Sequence, residues 1–143
     1  MNLFLLTIPV MLETTHEPAQ LVQQWSCVFK NGHRKGPIIS IATGLMYCYT
    51  AWSNHAGGAP WKVFALAGAL TMGMVPYTLI TMGGTNNALL RAEAKIKSGD
   101  DGISWKDVAI LVRTWNKLNA IRALFPLSGA VLGMLAICKL VQF

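Results

Sequence analysis

Acid is scarce in this sequence. Six residues of 143 are Asp or Glu, against twelve Lys or Arg, giving a formal charge of +6 with only 13% charged residues. A soluble domain usually carries about 25%. With 53% hydrophobic residues and a positive mean hydropathy, so weakly charged a chain is either membrane-embedded or unusually buried. The basic residues form no stripe interleaved with aromatics, so a nucleic-acid partner is not expected. They lie between apolar blocks, where loops meet anionic lipid headgroups.

Cysteine and histidine are also scarce. Cys27, Cys48 and Cys138 are odd in number and contain no C-x-x-C pair, which argues against a disulfide framework or a thioredoxin-like centre. Cys48 and Cys138 lie in apolar runs and read as inert packing residues. None of His16, His33 and His55 falls inside an apolar run, so axial ligation of a haem between membrane helices has no support. No cluster of His, Cys, Asp and Glu has metal-ligand spacing. The expectation is no metal and no cofactor. Internal repeats and low-complexity tracts are absent, and the length allows a single domain, 1–143.

What is present is four apolar blocks. Met1 to Leu12 covers little more than half of the roughly 20 residues a span requires. It reads as the later part of a short first helix kinked by Pro9. Pro37 to Trp52 is 16 residues long, with Pro37 suited to a first helical turn and Tyr47, Tyr49 and Trp52 suited to an interfacial belt. Val63 to Met82 is uncharged, with Pro76 expected to kink it. The fourth runs from about Leu118 to Val141. The expected fold is all-α, a four-helix transmembrane bundle with a short first helix and amphipathic helical segments in the first and third connections.

The first connection, Glu13 to Gly36, holds a helix around "PAQLVQQWSCVF". The second, "SNHAGGAPWK", is a turn. The third, Gly83 to Lys117, holds "TNNALLRAEAKIK", where Glu93 and Lys97 form an i,i+4 pair, and "SWKDVAILVRTW", where Ser104 and Asp107 make a capping-box pattern. "SGDDG" between them is a turn. With four crossings, the first and third connections share one face. They carry Lys30, Arg34, Lys35, Arg91, Lys95, Lys97, Lys106, Arg113 and Lys117, against Lys62 and Lys139 opposite. The positive-inside rule places the first and third connections in the cytoplasm.

This topology gathers polar residues. His33 and Arg34 precede the second block, Asn86 and Asn87 follow the third, and Asn119 and Arg122 open the fourth. Trp115, Asn119 and Arg122 are spaced by four and three and share one helical stripe. Each has a plain reading beside a functional one. Arg122 marks the headgroups, or faces inward as a functional arginine; Asn119 beside it favours the latter. Asn86 and Asn87 are a turn and a cap, unless Thr85 is the cap and frees both amides. His33 is a loop histidine or a general base, since imidazole exchanges protons near neutrality. His16 and His55 read as plain loop residues. Tyr77 is structural or faces a phenolic ligand. Met72, Met74, Met82 and Met134 read as core filler.

"VPYTLITMGGTNNALL" at 75–90 and "WNKLNAIRALFPLSGAVLG" at 115–133 resemble the two signature segments of the DUF1772 family of small four-helix membrane proteins. "GHRKGP" at 32–37 resembles the segment before the second helix in its fungal branch, which contains the anthrone oxygenases, noranthrone oxygenases among them. The resemblance runs from about Thr7 to Met134. It implies oxidation of a polyketide anthrone to an anthraquinone by O₂ without an obvious cofactor, in secondary metabolism, by a multi-pass protein of an endomembrane. On that reading His33 is the candidate base. Arg122 and Asn119, with Asn86 and Asn87, bind the anthrone oxygens. Trp115 stacks on the rings, Tyr77 borders them, and Arg34 orients the ligand or meets headgroups. The partners implied are the anthrone, O₂ and the lipid bilayer; a homo-oligomer stays open. The competing class is a non-catalytic membrane protein that binds or scaffolds a polyketide or lipid.

Overall fold

The computed structural model describes residues 6–99 and 102–141. The first five residues of the opening apolar block and the Asp pair of "SGDDG" fall outside them. Among the described residues every regular element is helical: α1 (Ile8–Thr14), α2 (Pro18–Ala56), α3 (Lys62–Thr81), α4 (Gly83–Lys97) and α5 (Trp105–Ile137). The all-α expectation holds. Among the described residues, only α3 and α5 are long and apolar enough to cross a membrane.

Two expected connecting helices turn out to be continuous with the apolar blocks that follow them. The segment around "PAQLVQQWSCVF" runs without a break into the second apolar block, giving an α2 of 39 residues, about 58 Å at 1.5 Å per residue. Pro37 is therefore not in a first turn but inside the helix; Pro18 takes the opening position instead. "SWKDVAILVRTW" likewise continues into the fourth block as the 33-residue α5. The expected Ser104 cap is present: its hydroxyl accepts a bond from the Lys106 N–H at 3.3 Å. Pro9 lies in the first turn of α1. Pro37, Pro76 and Pro126 are interior. Each lacks the N–H that would bond the carbonyl four residues back, which releases the carbonyls of His33, Met72 and Arg122.

The chain divides into two compact units, 1–34 with 78–121 and 35–77 with 122–143. The first unit has a core of large side chains: Ile8, Leu21, Val22, Trp25, Leu89, Val108, Val112 and Trp115 are buried. On α5 the buried positions 108, 112, 115 and 119 follow one face at helical spacing. Charged residues cover its outside. Trp105 Nε1 donates to the Thr15 carbonyl at 2.8 Å, tying the end of α1 to the start of α5. The expected Glu93–Lys97 pair forms at 2.7 Å, and Lys30 of α2 joins the same carboxylate at 3.0 Å. Those two bonds, that to Lys97 the stronger, outweigh desolvation and lower the Glu93 pKa from 4.5 to about 2.

The second unit buries mostly small residues. Ser40, Gly44, Ala51, Ala67, Gly68, Thr71, Gly129 and Gly133 are buried beside the larger Val63 and Met74, so backbones approach closely, as helices do in lipid. A Cβ on Gly129 would meet Thr71 Oγ1 and, at 2.7 Å, the Ala67 carbonyl; one on Gly133 would meet the Tyr47 hydroxyl at 2.6 Å. Ser40 Oγ donates to the Thr71 carbonyl at 2.7 Å and Tyr47 Oη to the Gly129 carbonyl at 3.2 Å. The large residues Ile38, Ile39, Leu45, Met46, Leu124, Leu127, Met134 and Ile137 are all exposed. Cys48 and Cys138, expected as packing residues, are exposed free thiols, and Met134 is not core filler. An apolar run on an exposed face reads the same in sequence as one facing a core.

Candidate active site

The first unit brings together residues that the sequence spreads over nearly a hundred positions. On α2, Trp25, Phe29 and His33 recur every four residues and stack in a column. The ring centroids are 4.9 Å apart for Trp25–Phe29 and 5.1 Å for Phe29–His33. Trp25 is fully buried and His33 is exposed, so the column runs from the core to the surface. Trp115 of α5 meets Trp25 edge-on at 5.9 Å, a favoured aromatic geometry.

Onto this aromatic wall the unit sets two buried amides. Asn86 of α4 is 8% exposed and Asn119 of α5 is 5% exposed. Trp115 Nε1 donates to Asn86 Oδ1 at 2.9 Å. That bond fixes the amide: its oxygen is taken and its NH₂ remains the donating end. Asn119 lies four residues beyond Trp115 on the same buried face. Its Oδ1 has no hydrogen-bond partner, and neither does the Trp25 Nε1.

The other candidates are placed as follows. Asn87 is exposed, turned from Asn86 by the helical rotation of neighbouring residues. Thr85 is not a cap; α4 begins at Gly83, with Met82 at the cap position and no side-chain capping bond. Arg34 is exposed beside His33. In the second unit, Tyr77 is half-buried with its ring 5.2 Å from that of Phe125. Arg122 is half-buried, three residues beyond Asn119 along α5. His16 lies in the turn between α1 and α2, and His55 packs against Trp61 at 5.0 Å. Among the described residues no three His, Cys, Asp or Glu side chains come together as a metal site. Sequence reasoning passed over Trp25 and Phe29; their spacing with His33 (25, 29, 33) was the available signal.

A buried, oriented amide stands beside an aromatic wall whose exposed end is an imidazole. The sequence comparisons bear on the same residues. The sequence model of the family described as Anthrone oxygenase matches residues 25–132. The chain belongs to the anthrone oxygenase family. That match begins at Trp25 and contains every candidate residue named above except His16.

Among relatives of this anthrone oxygenase family member, a monooxygenase, hypC, of Dothistroma septosporum is 54% identical over the whole chain and 77% of its own length. A noranthrone monooxygenase of Aspergillus flavus is 50% identical over the whole chain and 68% of its own length. The anthrone oxygenase AgnL2 of Paecilomyces divaricatus is 41% identical over 94% of the chain and 83% of its own length. No solved structure matches.

Proposed function

We propose that this chain is an oxidoreductase that converts a polyketide anthrone to the anthraquinone with O₂, in secondary metabolism. Family membership across residues 25–132 carries the reading, and relatives named for this activity at 41–54% identity support it. The chemistry asks little beyond what these residues offer. The central CH₂ of an anthrone lies between two rings and opposite a ketone, so loss of a proton gives a delocalised anthrolate. The anthrolate passes one electron to O₂; the resulting radical pair forms the C–O bond of a hydroperoxide. Loss of water, with the second C–H proton, leaves the carbonyl. One oxygen atom of O₂ ends in the quinone and the other in water, which balances the four-electron oxidation of CH₂ to C=O.

In this scheme His33 takes the first proton and returns it to the hydroperoxide. Stacking on Phe29 holds the imidazole ring in place. The Asn86 NH₂, aimed by Trp115, donates to the ketone oxygen as negative charge builds on it. Trp115 is thus a positioning residue as well as part of the aromatic wall. Asn87 and Arg34, in the same unit, border or orient the ligand. Preorganised donors of this kind are worth about 10²–10³ in kcat each.

The exposed large apolar side chains of the second unit and the two apolar helices support a multi-pass membrane protein. The basic first and third segments would then face the cytoplasm at an endomembrane. A bilayer would also concentrate an apolar substrate and O₂.

The experiment is purification in lipid nanodiscs, with anthrone loss, quinone formation and O₂ uptake followed under air and under nitrogen against the spontaneous rate. Acceleration under air with one O₂ consumed per quinone is expected. His33→Ala and Asn86→Ala each should cost ~10²-fold or more in kcat. Wild-type rates in both would move the site elsewhere. Anthrone binding without any acceleration would instead support a non-catalytic carrier.

A further inference from the structure

Among the described acidic residues, Glu13, Glu17 and Asp107 are exposed, and Glu93 alone is drawn inward, its side chain 13% exposed. It stands on the buried face of α4: Asn86, Leu89 and Glu93 are spaced by three and four, and the first two are buried. Its Oε1 accepts from two lysines, from Lys97 at 2.7 Å and from Lys30 at 3.0 Å. The two bonds differ in reach. Lys97 lies one turn on along the same helix, a pairing that α4 makes by itself. Lys30 comes from α2, 63 positions away, so its bond ties one helix to another. Lys97 suffices to keep the carboxylate charged. The bond to Lys30 adds what Lys97 cannot: it sets α2 against α4.

Those two helices carry the base and the donor of the proposed chemistry. His33 is three residues after Lys30 on α2. Asn86 is two turns before Glu93 on the same face of α4. The contacts that otherwise join donor to base run from Asn86 to Trp115, Trp25, Phe29 and His33. Three of these four are contacts between rings, which fix one helix against another less tightly than a charge-assisted hydrogen bond does. We propose that Lys30 and Glu93 are positioning residues for the reaction, their ion pair holding the helix of the base at a fixed setting against the helix of the donor. The inference rests on the proposed anthrone oxidation and adds to it a pair that the scheme above does not use. Solvent screens both ammonium groups, which limits what the pair gives to stability. Catalysis is less forgiving: a displacement of about 1 Å can cost about 10²-fold in rate. Loss of the Lys30 bond should therefore show in kcat more than in the fold.

The test assays the full chain in nanodiscs with an anthrone under air, and melting temperature is measured on the same samples. Lys30→Met and Glu93→Gln should each lower kcat about 10-fold with KM nearly unchanged, the scale of a positional loss short of a full ångström. The double variant should be no slower than either single one, because both remove the same interaction. Lys30→Arg, which keeps the cation, should stay near wild type. Lys97→Met decides between positioning and plain stabilisation. Lys97 makes the shorter bond and is the larger cause of the lowered carboxyl pKa. Its loss should lower the melting temperature at least as much as loss of Lys30, yet leave kcat within about twofold of wild type. The helix spacing is read separately by spin labels at the exposed positions Gln23→Cys and Ala94→Cys, with the three native cysteines changed to serine. The spread of the label distance should widen in Lys30→Met and Glu93→Gln and stay narrow in Lys97→Met.

Two results overturn the inference: wild-type kcat in both Lys30→Met and Glu93→Gln, or rates that follow melting temperature, with Lys97→Met as slow as Lys30→Met. If the wild-type chain does not accelerate oxidation at all, the oxygenase reading falls and the spin labels decide the pair. Widening confined to the Lys30 and Glu93 variants then upholds it as the link between the helices, and unchanged widths overturn it.

Discussion

The two units of this chain solve the same packing problem with opposite residues. The first buries Leu21, Trp25, Leu89, Val112 and Trp115 and exposes Lys30, Arg91, Lys95, Arg113 and Lys117. The second buries Gly44, Ala67, Gly68, Thr71, Gly129 and Gly133 and exposes Ile38, Leu45, Met46, Leu127 and Met134. Large side chains go inward when the outside is water, because apolar area leaves the solvent. In hydrocarbon that drive vanishes between helices, and close contact of small residues takes its place. Helices α2 and α5 each contribute to both units, so the difference is not one of secondary structure. The buried polar residues Trp25, Asn86 and Asn119 all belong to the first unit, where large rigid rings surround them.

The sharpest break of this contrast is a large-to-small substitution in each unit. Leu89 is fully buried in the first unit, and Leu127 is exposed in the second. Leu89→Ala should lower stability by about 2–5 kcal/mol. Leu127→Ala should change it by under ~0.5 kcal/mol. Thermal unfolding in detergent measures both, and equal losses would mean that the second unit has an ordinary core. A charge placed on α5 gives the next largest difference. Ile110 and Val131 are both well exposed on that helix, at 59% and 49%. Val131→Lys should disfavour membrane insertion by about 2.5–3.5 kcal/mol if it sits near mid-bilayer, whereas Ile110→Lys should be nearly neutral. Fractionation of membrane-integrated against extractable protein reads the difference; equal behaviour would remove the case for lipid around the second unit.

Overpacking comes third. A side chain at Gly129 meets the Ala67 carbonyl, which is backbone and cannot swing away. Gly129→Val should therefore cost about 1–3 kcal/mol, while Gly84→Val, where no atom lies within 4 Å of the added Cβ, should be nearly neutral, valine being slightly the better helix former. If Gly129→Val unfolds no more readily than Gly84→Val, the close-packed reading of the second unit is wrong.

How much of this was legible beforehand follows the same division. The all-α class, the apolar α3, the Ser104 cap, the Glu93–Lys97 pair and the shared face of Trp115 and Asn119 were all readable, because each depends on spacing within one helix. The continuity of α2 through Pro37 was not. A proline inside an apolar stretch reads as a helix start, since sequence alone does not reveal whether the packing around it sustains the helix across the missing bond. The exposure of Cys48 and Cys138 was hidden because apolar composition does not distinguish an exposed face from a core. In the candidate site, Asn86 was foreseen, but not that Trp115 grips its oxygen. That contact joins α4 to α5 across 29 positions and has no sequence period. Trp25 was hidden in what looked like a surface-lying segment. Its partners Phe29 and His33 stood at readable intervals, but a stack of three rings is recognised only once the helix is known to run through all of them.

The smallest effect concerns the charged exterior of the first unit. Glu93 is only 13% exposed at its side chain, while Lys30 and Lys97 remain largely in solvent at 60% and 68%. Solvent screening of the two ammonium groups limits the pair network to about 1 kcal/mol or less, despite the lowering of the carboxyl pKa to about 2. The direction with pH is definite. A carboxyl held below its ordinary 4.5 contributes fully above that value, and its contribution fades as pH falls from about 4.5 through about 2, where the folded state too becomes protonated. Glu93→Gln should thus lower the melting temperature slightly at pH 7 and close the gap to wild type over that acid range. Added salt should shrink the gap further, since exposed ammonium partners are screened. A gap that persists unchanged at pH 2 would show that the carboxylate's charge is not what Lys30 and Lys97 stabilise, and that Glu93 contributes through its packing beside Ser26 instead.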